Sequence, residues 1–237
     1  MTTRLRRLAV VVVCSSALST FLLARQPTAS ESDELVWSDE FDGDGPVDPK
    51  DWAFETGFVR NEELQWYQTA NATRRNGLLV IDARRERVRN PDFVPGSASW
   101  RTNREFADYT SSSIMTKDLH QWRYGRFEIR GRIDTRSGMW PAFWTLGSGD
   151  WPDAGEIDIM EFYRGLLLAN VAWGSNRQWV ATWDKVRHPI SSFPDRDWAV
   201  KFHVWRMDWD ERRIDLSVDG LRLNHTDLSR LRSPRTG

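Results

Sequence analysis

The amino-acid sequence predicts an all-β fold, a β-jelly-roll sandwich with a concave face. Three observations predict it. Short apolar or alternating segments recur from Leu35 onward, turn signals rich in Gly, Pro, Asn and Asp separate them, and no segment shows a helical apolar period. Many evenly spaced strands in a chain of 237 residues are typical of sandwiches and jelly rolls. A bent sandwich has a concave face that can hold an extended polymer.

The first 29 residues have the layout of a secretory signal peptide. Three arginines among the first seven residues precede an apolar segment over residues 8–24, and small and polar residues follow. The alternative is an uncleaved anchor, because the apolar segment approaches the ~20 residues that span a bilayer. Four serine and threonine residues at 15–20 weaken that alternative. We therefore expect cleavage near Ala24 or Ala29, a secreted or periplasmic location, and no stable membrane association afterwards.

The predicted strands follow one another along the rest of the chain, which we expect to form one domain at 30–237. The segment DWDERR joins the last two strands as a hairpin, and the segment at 221–237 is basic and predicted to be loop-like. A sandwich normally finishes on a paired strand, because an open edge is a liability, so a loop-like ending is unusual. In order, the strands are LVWSDEF (35–41), GLLVIDARRE (77–86), SSIMTK (112–117), YGRFEIRGRI (124–133), PAFWTLG (141–147), EIDIMEFY (156–163), LLLANVAWG (166–174), FHVWRMDWD (202–210) and RIDLSVDG (213–220).

The composition argues against several classes of partner. The 33 lysines and arginines nearly balance the 34 aspartates and glutamates, for a net charge of −1. A basic stripe, which would indicate a nucleic acid or an anionic membrane, is therefore not expected. The single cysteine, Cys14, leaves the exported part without disulfides, so its stability must come from packing. We expect a monomer. The 14 tryptophans are many, and flat aromatic faces serve either core packing or sugar stacking.

The segment GEIDIMEFY, residues 155–163, places three acids in one predicted strand. Glu156 and Asp158 point to the same face, because side chains alternate along a strand. Uninterrupted alternation would send Glu161 into the core, and burying an unpaired carboxylate costs several kcal/mol. A β-bulge at Ile159–Met160 avoids this cost, because one extra residue reverses the alternation. The sequence therefore predicts a bulged strand with all three acids on one face.

A row of three acids is compatible with more than one role. A metal site is a poor fit, because hard cations also draw on carbonyl groups and loop geometry, and no histidine is near. A solvated polar face would carry Lys or Arg among the acids, and the segment has none. Glycoside hydrolysis needs two carboxyl groups about 5–5.5 Å apart for retention of configuration, which nearby residues of one strand can provide. The spacing alone leaves catalysis and the polar face both open.

The motif GEIDIMEFY resembles the signature of glycoside hydrolase family 16, E-I-D-[IV]-x-E, in its bulged form. The unbulged form has one residue fewer between the second and third acids. Similar flanking segments extend the resemblance over about residues 35–220. They are WSDEFDG near the start, NEELQWY (61–67), GLLVIDARRE (77–86), YGRFEIRGRI (124–133), GMWPAFWTLG (138–147), WPDAGEIDIME (151–161) and FHVWRMDWDERRIDLSVDG (202–220).

The resemblance implies a jelly roll with a substrate cleft and a retaining endo-hydrolase of β-linked polysaccharides. β-1,3- or β-1,3/1,4-glucan is the expected substrate, and agar and carrageenan are substrates of other bulged members. By position in the motif, Glu156 would be the nucleophile, Glu161 the general acid/base and Asp158 the assisting carboxylate. The alternatives are a transglycosylase of the same family and a non-catalytic carbohydrate-binding sandwich. Binding alone needs no row of carboxylates, which argues against the second alternative.

Further residues match family positions that contact substrate. Trp140, Trp144 and Trp151 match cleft tryptophans, although an arbitrary tryptophan more often packs in a core. Asn61 matches a sugar-binding asparagine, although an asparagine near a strand start is more often a turn residue. Ser113 stands where many laminarin-active members carry an arginine, so the subsites are expected to differ from theirs.

The resemblance implies no required cofactor and no metal in the site. Some members carry a structural calcium held by residues near both termini, and the chain keeps the N-terminal part of that region, DEFDG (39–43), without the C-terminal part. The family also continues with further strands past NHTDLSR (224–230). We therefore expect residues 30–237 to be a C-terminally incomplete catalytic domain of reduced stability.

Overall fold

A computed structural model describes residues 34–231 of the chain. The expected signal peptide at 1–29 lies outside the described residues. Residues 34–40 fall in a different compact unit from the part that starts at Phe41, and the architecture below is that of the second unit. Its strands are β1 (Ala53–Phe54), β2 (Gln65–Tyr67), β3 (Ala72–Arg74), β4 (Leu79–Ile81), β5 (Val88–Arg89), β6 (Phe106–Ala107), β7 (Tyr109–Ser111), β8 (Ile114–Met115), β9 (Gly125–Gly131), β10 (Ala142–Leu146), β11 (Glu156–Tyr163), β12 (Leu166–Gly174), β13 (Ala181–Pro189), β14 (His203–Trp209), β15 (Arg213–Val218) and β16 (Leu221–Asp227).

Two four-stranded antiparallel sheets form the body of the fold. One has the order β10-β11-β12-β13, and the other has the order β16-β15-β14-β9. Neither sheet closes into a barrel, so β10, β13, β16 and β9 are edge strands. Short two-stranded ribbons accompany the sheets; they pair β1 with β8, β3 with β4, and β5 with β6, and the β2–β7 pair is parallel.

One hydrophobic core lies between the two sheets. Ile159 and Leu167 contribute to it from the first sheet, and Trp205, Met207 and Leu216 from the second; all five are fully buried. Alternation along each strand supplies these residues, because every second side chain of a half-buried strand faces the core. The predicted all-β jelly-roll sandwich is confirmed.

Helical structure in the described residues is confined to single 3₁₀ turns. They are Thr69–Asn71, Ile190–Ser192, Trp198–Val200 and Leu228–Arg230. This agrees with the lack of a helical apolar period in the sequence. Within residues 34–231 no helix has the length and apolar character that crossing a membrane requires.

Several strand predictions are wrong. The segment at 35–41 is not a strand, and no strand was predicted at β1, β2, β3, β5, β6, β7 or β13, nor at β16, where a loop was expected. The two long strands among these, β13 and β16, carry polar side chains on the face that points into the sandwich. Thr226 on β16 donates a hydrogen bond to Asp184 on β13 over 2.7 Å. Because such pairs replace apolar contacts, the alternation of apolar and polar residues that identifies a strand is absent.

Candidate active site

The predicted β-bulge is present in the middle of β11. Asp158 pairs with Asn170 of β12, whereas Glu161 pairs with Leu168, so three steps along β11 match two steps along β12. The pairing of β11 with β10 shows a register shift at the same place. Ile159 and Met160 are both buried in the core. The extra residue therefore keeps Glu161 out of the core, on the same face as the other two acids.

We call the face of the β10–β13 sheet that points away from the core the acid face. Asp158 is 2 % exposed, and Glu156 and Glu161 are partly buried. The indole Nε1 of Trp151 donates to Oε2 of Glu156 over 2.6 Å, and Nε1 of Trp140 donates to Oε1 of Glu161 over 2.9 Å. The structure thus brings two of the predicted tryptophans directly to two of the acids.

Both tryptophans also present part of their rings to solvent. Trp140 is 41 % exposed and Trp151 is 39 % exposed, which is unusual for such large apolar side chains. The Trp140 ring lies 4.7 Å from the ring of Tyr163, which follows Glu161 on the acid face. Each indole therefore has its N–H group on a carboxylate and an open aromatic surface next to it.

Asn170 on β12 was not among the predicted site residues. Its Nδ2 donates to Oδ2 of Asp158 over 3.2 Å, and the backbone N–H of Val186 on β13 donates to its Oδ1 over 3.3 Å. Asn170 is buried, and its side chain on β12 connects Asp158 on β11 to the backbone of β13. A signal was available, because Asn170 is the one amide in the otherwise apolar strand LLLANVAWG.

Burial and mutual repulsion change the proton affinities of the acids. Burial, followed by the charges of Glu161 and Glu156, raises the pKa of Asp158 to about 8, and the hydrogen bond from Asn170 opposes this rise. Burial is also the largest cause that raises the pKa of Glu161, and the hydrogen bond from Trp140 opposes it. Closely spaced carboxyl groups cannot all ionise together. Protons are therefore retained in this row to higher pH than on isolated acids.

Trp144 lies on the acid face but is partly covered. It pairs with Asp158 across β10 and β11, and the guanidinium of Arg60 lies 5.1 Å from its ring centroid. Arg60 forms an ion pair with Glu55, which also accepts a 2.6 Å hydrogen bond from the hydroxyl of Ser113. The side of the Trp144 ring under Arg60 is therefore not an open surface for a sugar.

Asn61 is an exposed turn residue with φ of 54°. Within the described part of the chain, no hydrogen bond joins its side chain to the three acids. The neighbouring Arg60, which the sequence analysis did not select, reaches the acid face instead. The role of Asn61 stays a prediction.

The loop between β10 and β11 depends on a close backbone approach. The N–H of Gly147 donates to the carbonyl of Gly155 over 3.0 Å. A Cβ atom on Gly147 would lie 1.8 Å from the backbone oxygen of Ala154. Only glycine fits there, and the loop that it closes carries Trp151 to Glu156.

Metal-ligating side chains do not cluster in the described residues. Among residues 34–231, no group of three or more His, Cys, Asp or Glu side chains could hold a metal ion. The structural calcium that the resemblance implies for some family members stays an untested expectation.

Comparison with known proteins agrees with the site. The profile of glycosyl hydrolases family 16 matches residues 60–232. The β-glucanase of Rhodothermus marinus is 36 % identical over 202 residues, which are 78 % of this chain and 63 % of that protein, so the chain spans less than two thirds of this relative. The laminarinase catalytic domain of Thermotoga maritima is similar in structure, with a TM-score of 0.66, 32 % identity, and coverage of 83 % of this chain and 78 % of that one. A structure from work on endo-acting O-glycanases of human gut bacteria has a TM-score of 0.75 and 29 % identity, and covers 84 % of this chain and 73 % of that one.

Proposed function

The chain belongs to family 16 of the glycosyl hydrolases, and from this premise we propose that it is a retaining endo-acting hydrolase of β-linked polysaccharides. The proposed substrate is a β-1,3-glucan or a mixed-linkage β-1,3/1,4-glucan, which the β-glucanase and laminarinase relatives support. One observation carries the proposal: the bulge of β11 aligns Glu156, Asp158 and Glu161 on one face, where neighbouring side chains bond to each of them.

The proposed reaction has two steps that use Glu156 and Glu161 in turn. Glu156 attacks the anomeric carbon while Glu161 gives its proton to the leaving glycosidic oxygen, so one C–O bond forms and one breaks. Glu161 then takes a proton from water, which attacks the anomeric carbon and releases Glu156. Two inversions give retention of configuration.

The surroundings of Glu161 suit a general acid. Its raised pKa keeps it protonated at a pH where an ordinary glutamate is ionised, so it has a proton to give. After the proton has left, the N–H of Trp140 stabilises the carboxylate that forms. The same hydrogen bond therefore assists the step in which Glu161 acts as a base.

Asp158 is proposed to assist Glu156 and not to react. A carboxyl group with a pKa of about 8 is largely protonated at neutral pH, and the hydrogen bond between Asp158 and Glu156 raises that pKa. A protonated Asp158 donates to Glu156 and stabilises its negative charge. Asn170 fixes the Asp158 carboxyl from the other side.

The exposed rings are proposed to contact sugars next to the scissile bond. Trp140 lies at Glu161 and Trp151 lies at Glu156, so their open surfaces flank the reacting carboxyl groups. Trp144 and Arg60 would contact the chain further along the acid face. Asn61 keeps its proposed role as a hydrogen-bonding residue of the sugar subsites.

Reducing-end release tests the proposal. We would assay the full chain on laminarin, mixed-linkage β-glucan, agarose and carrageenan, beside the Glu156→Gln variant and the Glu211→Gln variant, which changes an exposed glutamate of the β14–β15 hairpin. Activity on a glucan, its loss in Glu156→Gln with polysaccharide binding kept, and full activity in Glu211→Gln are expected. Equal activity of Glu156→Gln and the unmodified chain would contradict the assignment.

Two alternatives are outcomes of the same assay. A transglycosylase would yield products longer than the substrate, which chromatography of the products reveals. A carbohydrate-binding sandwich would retain polysaccharide without releasing reducing ends. The row of bonded carboxyl groups does not favour the second alternative, because binding alone does not need it.

Export is part of the proposal, because polymeric glucans are met outside the cytoplasm. The charged and apolar layout of residues 1–29 supports it. N-terminal sequencing of the mature protein should begin just after Ala24 or Ala29. A mature chain that begins at residue 1 or 2 would contradict cleavage.

A further inference from the structure

The acid face extends beyond β11 to the edge strand β13. Residues paired across antiparallel strands point to the same side of the sheet, so the register defines rows that cross all four strands. Each row begins on β10, passes through one acid of β11 and one residue of β12, and ends on β13. The rows are Leu146–Glu156–Ala172–Trp183, Trp144–Asp158–Asn170–Lys185 and Ala142–Glu161–Leu168–Arg187.

The alternate residues of β13 verify this orientation. Asp184 accepts a hydrogen bond from the hydroxyl of Thr226, and Nε2 of His188 bonds to the carbonyl of Leu223, 3.2 Å away. Both partners lie on β16 of the other sheet, so Asp184 and His188 point into the sandwich. Their neighbours Trp183, Lys185 and Arg187 therefore point to the acid face.

These three side chains combine an aromatic ring with two positive charges. Trp183 is partly buried, and Nζ of Lys185 lies 4.9 Å from its ring centroid. Lys185 and Arg187 are exposed. Neither of them forms an ion pair with any carboxylate among residues 34–231. Their charges are therefore available to a ligand.

The acids of β11 do not form ion pairs with these cations. Two strand spacings separate β13 from β11, or about 10 Å. Between them lie Leu168, Asn170 and Ala172, none of which is charged. No ion pair bridges that distance among the described residues, whereas an oligosaccharide bound across the strands passes from the acids to β13 within a few sugars.

We propose that Trp183, Lys185 and Arg187 form a subsite for an anionic sugar, one that carries a sulfate ester or a carboxylate, in the polysaccharide that the acids cleave. The inference rests on the proposed function and adds to it a preference for β-linked chains that carry anionic substituents over the neutral glucan. The ring of Trp183 packs against a sugar face, Lys185 supplies a point charge, and the guanidinium fork of Arg187 matches two anionic oxygens.

Binding to a non-hydrolysing chain tests the subsite. In the Glu156→Gln background of the full chain, we would compare Lys185→Ala/Arg187→Ala with Arg212→Ala, which removes an exposed cation of the β14–β15 hairpin. The probes are laminarin, sulfated laminarin and carboxymethylated laminarin, in affinity electrophoresis at low and high salt. Melting temperatures confirm that the variants fold.

The double variant should bind the anionic probe about tenfold more weakly, the factor that 1.4 kcal/mol represents, and should lose most of the salt dependence. The double variant should bind neutral laminarin as tightly as its parent does. The Arg212→Ala control should bind all three probes as its parent does. Loss on sulfated laminarin alone assigns a sulfate, and loss on carboxymethylated laminarin alone assigns a carboxylate. Lys185→Arg should restore part of the affinity.

Two results would overturn the subsite. One is equal affinity of the double variant and its parent for both anionic probes. The other is an equal loss on neutral and anionic probes, which would mean that the cations act through the field of the acids or through the fold. The proposed hydrolysis fails separately, when the unmodified chain releases no reducing ends from any of these polymers.

Discussion

Deletion of Met160 should preserve the row of acids, because it removes the extra residue of the bulge. Without Met160, Asp158 still pairs with Asn170, and the last glutamate, now two steps away, still pairs with Leu168 in regular alternation. Insertion of an alanine between Ile159 and Met160 places Glu161 four steps from Asp158. If the one-residue bulge stays, Glu161 points into the core; if the strand becomes regular, Glu161 stays on the acid face but pairs with Leu166 in place of Leu168.

The cost of the deletion follows from the burial of the lost side chain. Met160 is 5 % exposed and packs in the core. Truncation of a buried methionine lowers the free energy of unfolding by about 2–5 kcal/mol. At about 2–4 °C per kcal/mol for a domain of this size, the melting temperature should fall by roughly 5–20 °C. The insertion should cost more, since it either buries a carboxylate without a partner or moves the end of β11 out of its register with β12.

Thermal melts and reducing-end assays at 20 °C on the same samples separate the two effects. Met160→Ala is the control, because it empties the same space without changing the register. We expect Met160→Ala and the deletion to have similar melting temperatures and to keep activity, and the insertion to be inactive. An insertion variant at least as active as the deletion variant would refute the claim that the pairing of Glu161 with Leu168 positions it for catalysis.

Further predictions concern the environment of the acids. Trp140→Phe removes the hydrogen bond that lowers the pKa of Glu161, so the basic limb of the pH–activity profile should move to higher pH; an unmoved limb would contradict this role. Asp158→Asn should raise the melting temperature at pH 9 more than at pH 4. The folded chain holds the Asp158 proton up to a pKa of about 8, so the stability that this proton confers is complete below the unfolded pKa of 3.8 and lost as pH rises through 8. An equal difference in melting temperature between the variant and its parent at pH 4 and at pH 9 would exclude this linkage. Gly147→Ala should lower the melting temperature and the activity together, because its Cβ would lie 1.8 Å from a backbone oxygen. A melt unchanged from that of the parent would count against the close approach.

The bulge of β11 could be predicted from the sequence because its cause is local. Nine residues contain both the acids and the isoleucines, and the cost of a buried carboxylate decides between two alternations. The strands β11 and β12 were also predicted with their observed bounds. In each strand the core side chains lie within one segment of eight or nine residues, so the local sequence contains the whole pattern that identifies the strand.

The residues that support the acids depend on pairing between distant segments. The role of Asn170 follows from the register that places β12 beside Asp158, and that of Arg60 follows from the position of its guanidinium over Trp144. Strand β13 was missed because Asp184 points inward to a hydrogen-bond partner on β16. The pattern of apolar residues in the sequence does not reveal a hydrogen bond between two distant strands.

Rescue by azide tests the central assignment most directly. We would supply an activated aryl β-glycoside to Glu156→Ala and Glu161→Ala in the presence of azide, and determine the anomeric configuration of the product by NMR. The account predicts an α-glycosyl azide from Glu156→Ala, where azide replaces the nucleophile, and a β-glycosyl azide from Glu161→Ala, where azide attacks the glycosyl-enzyme. The reverse assignment of anomers, or rescue of neither variant, would contradict it.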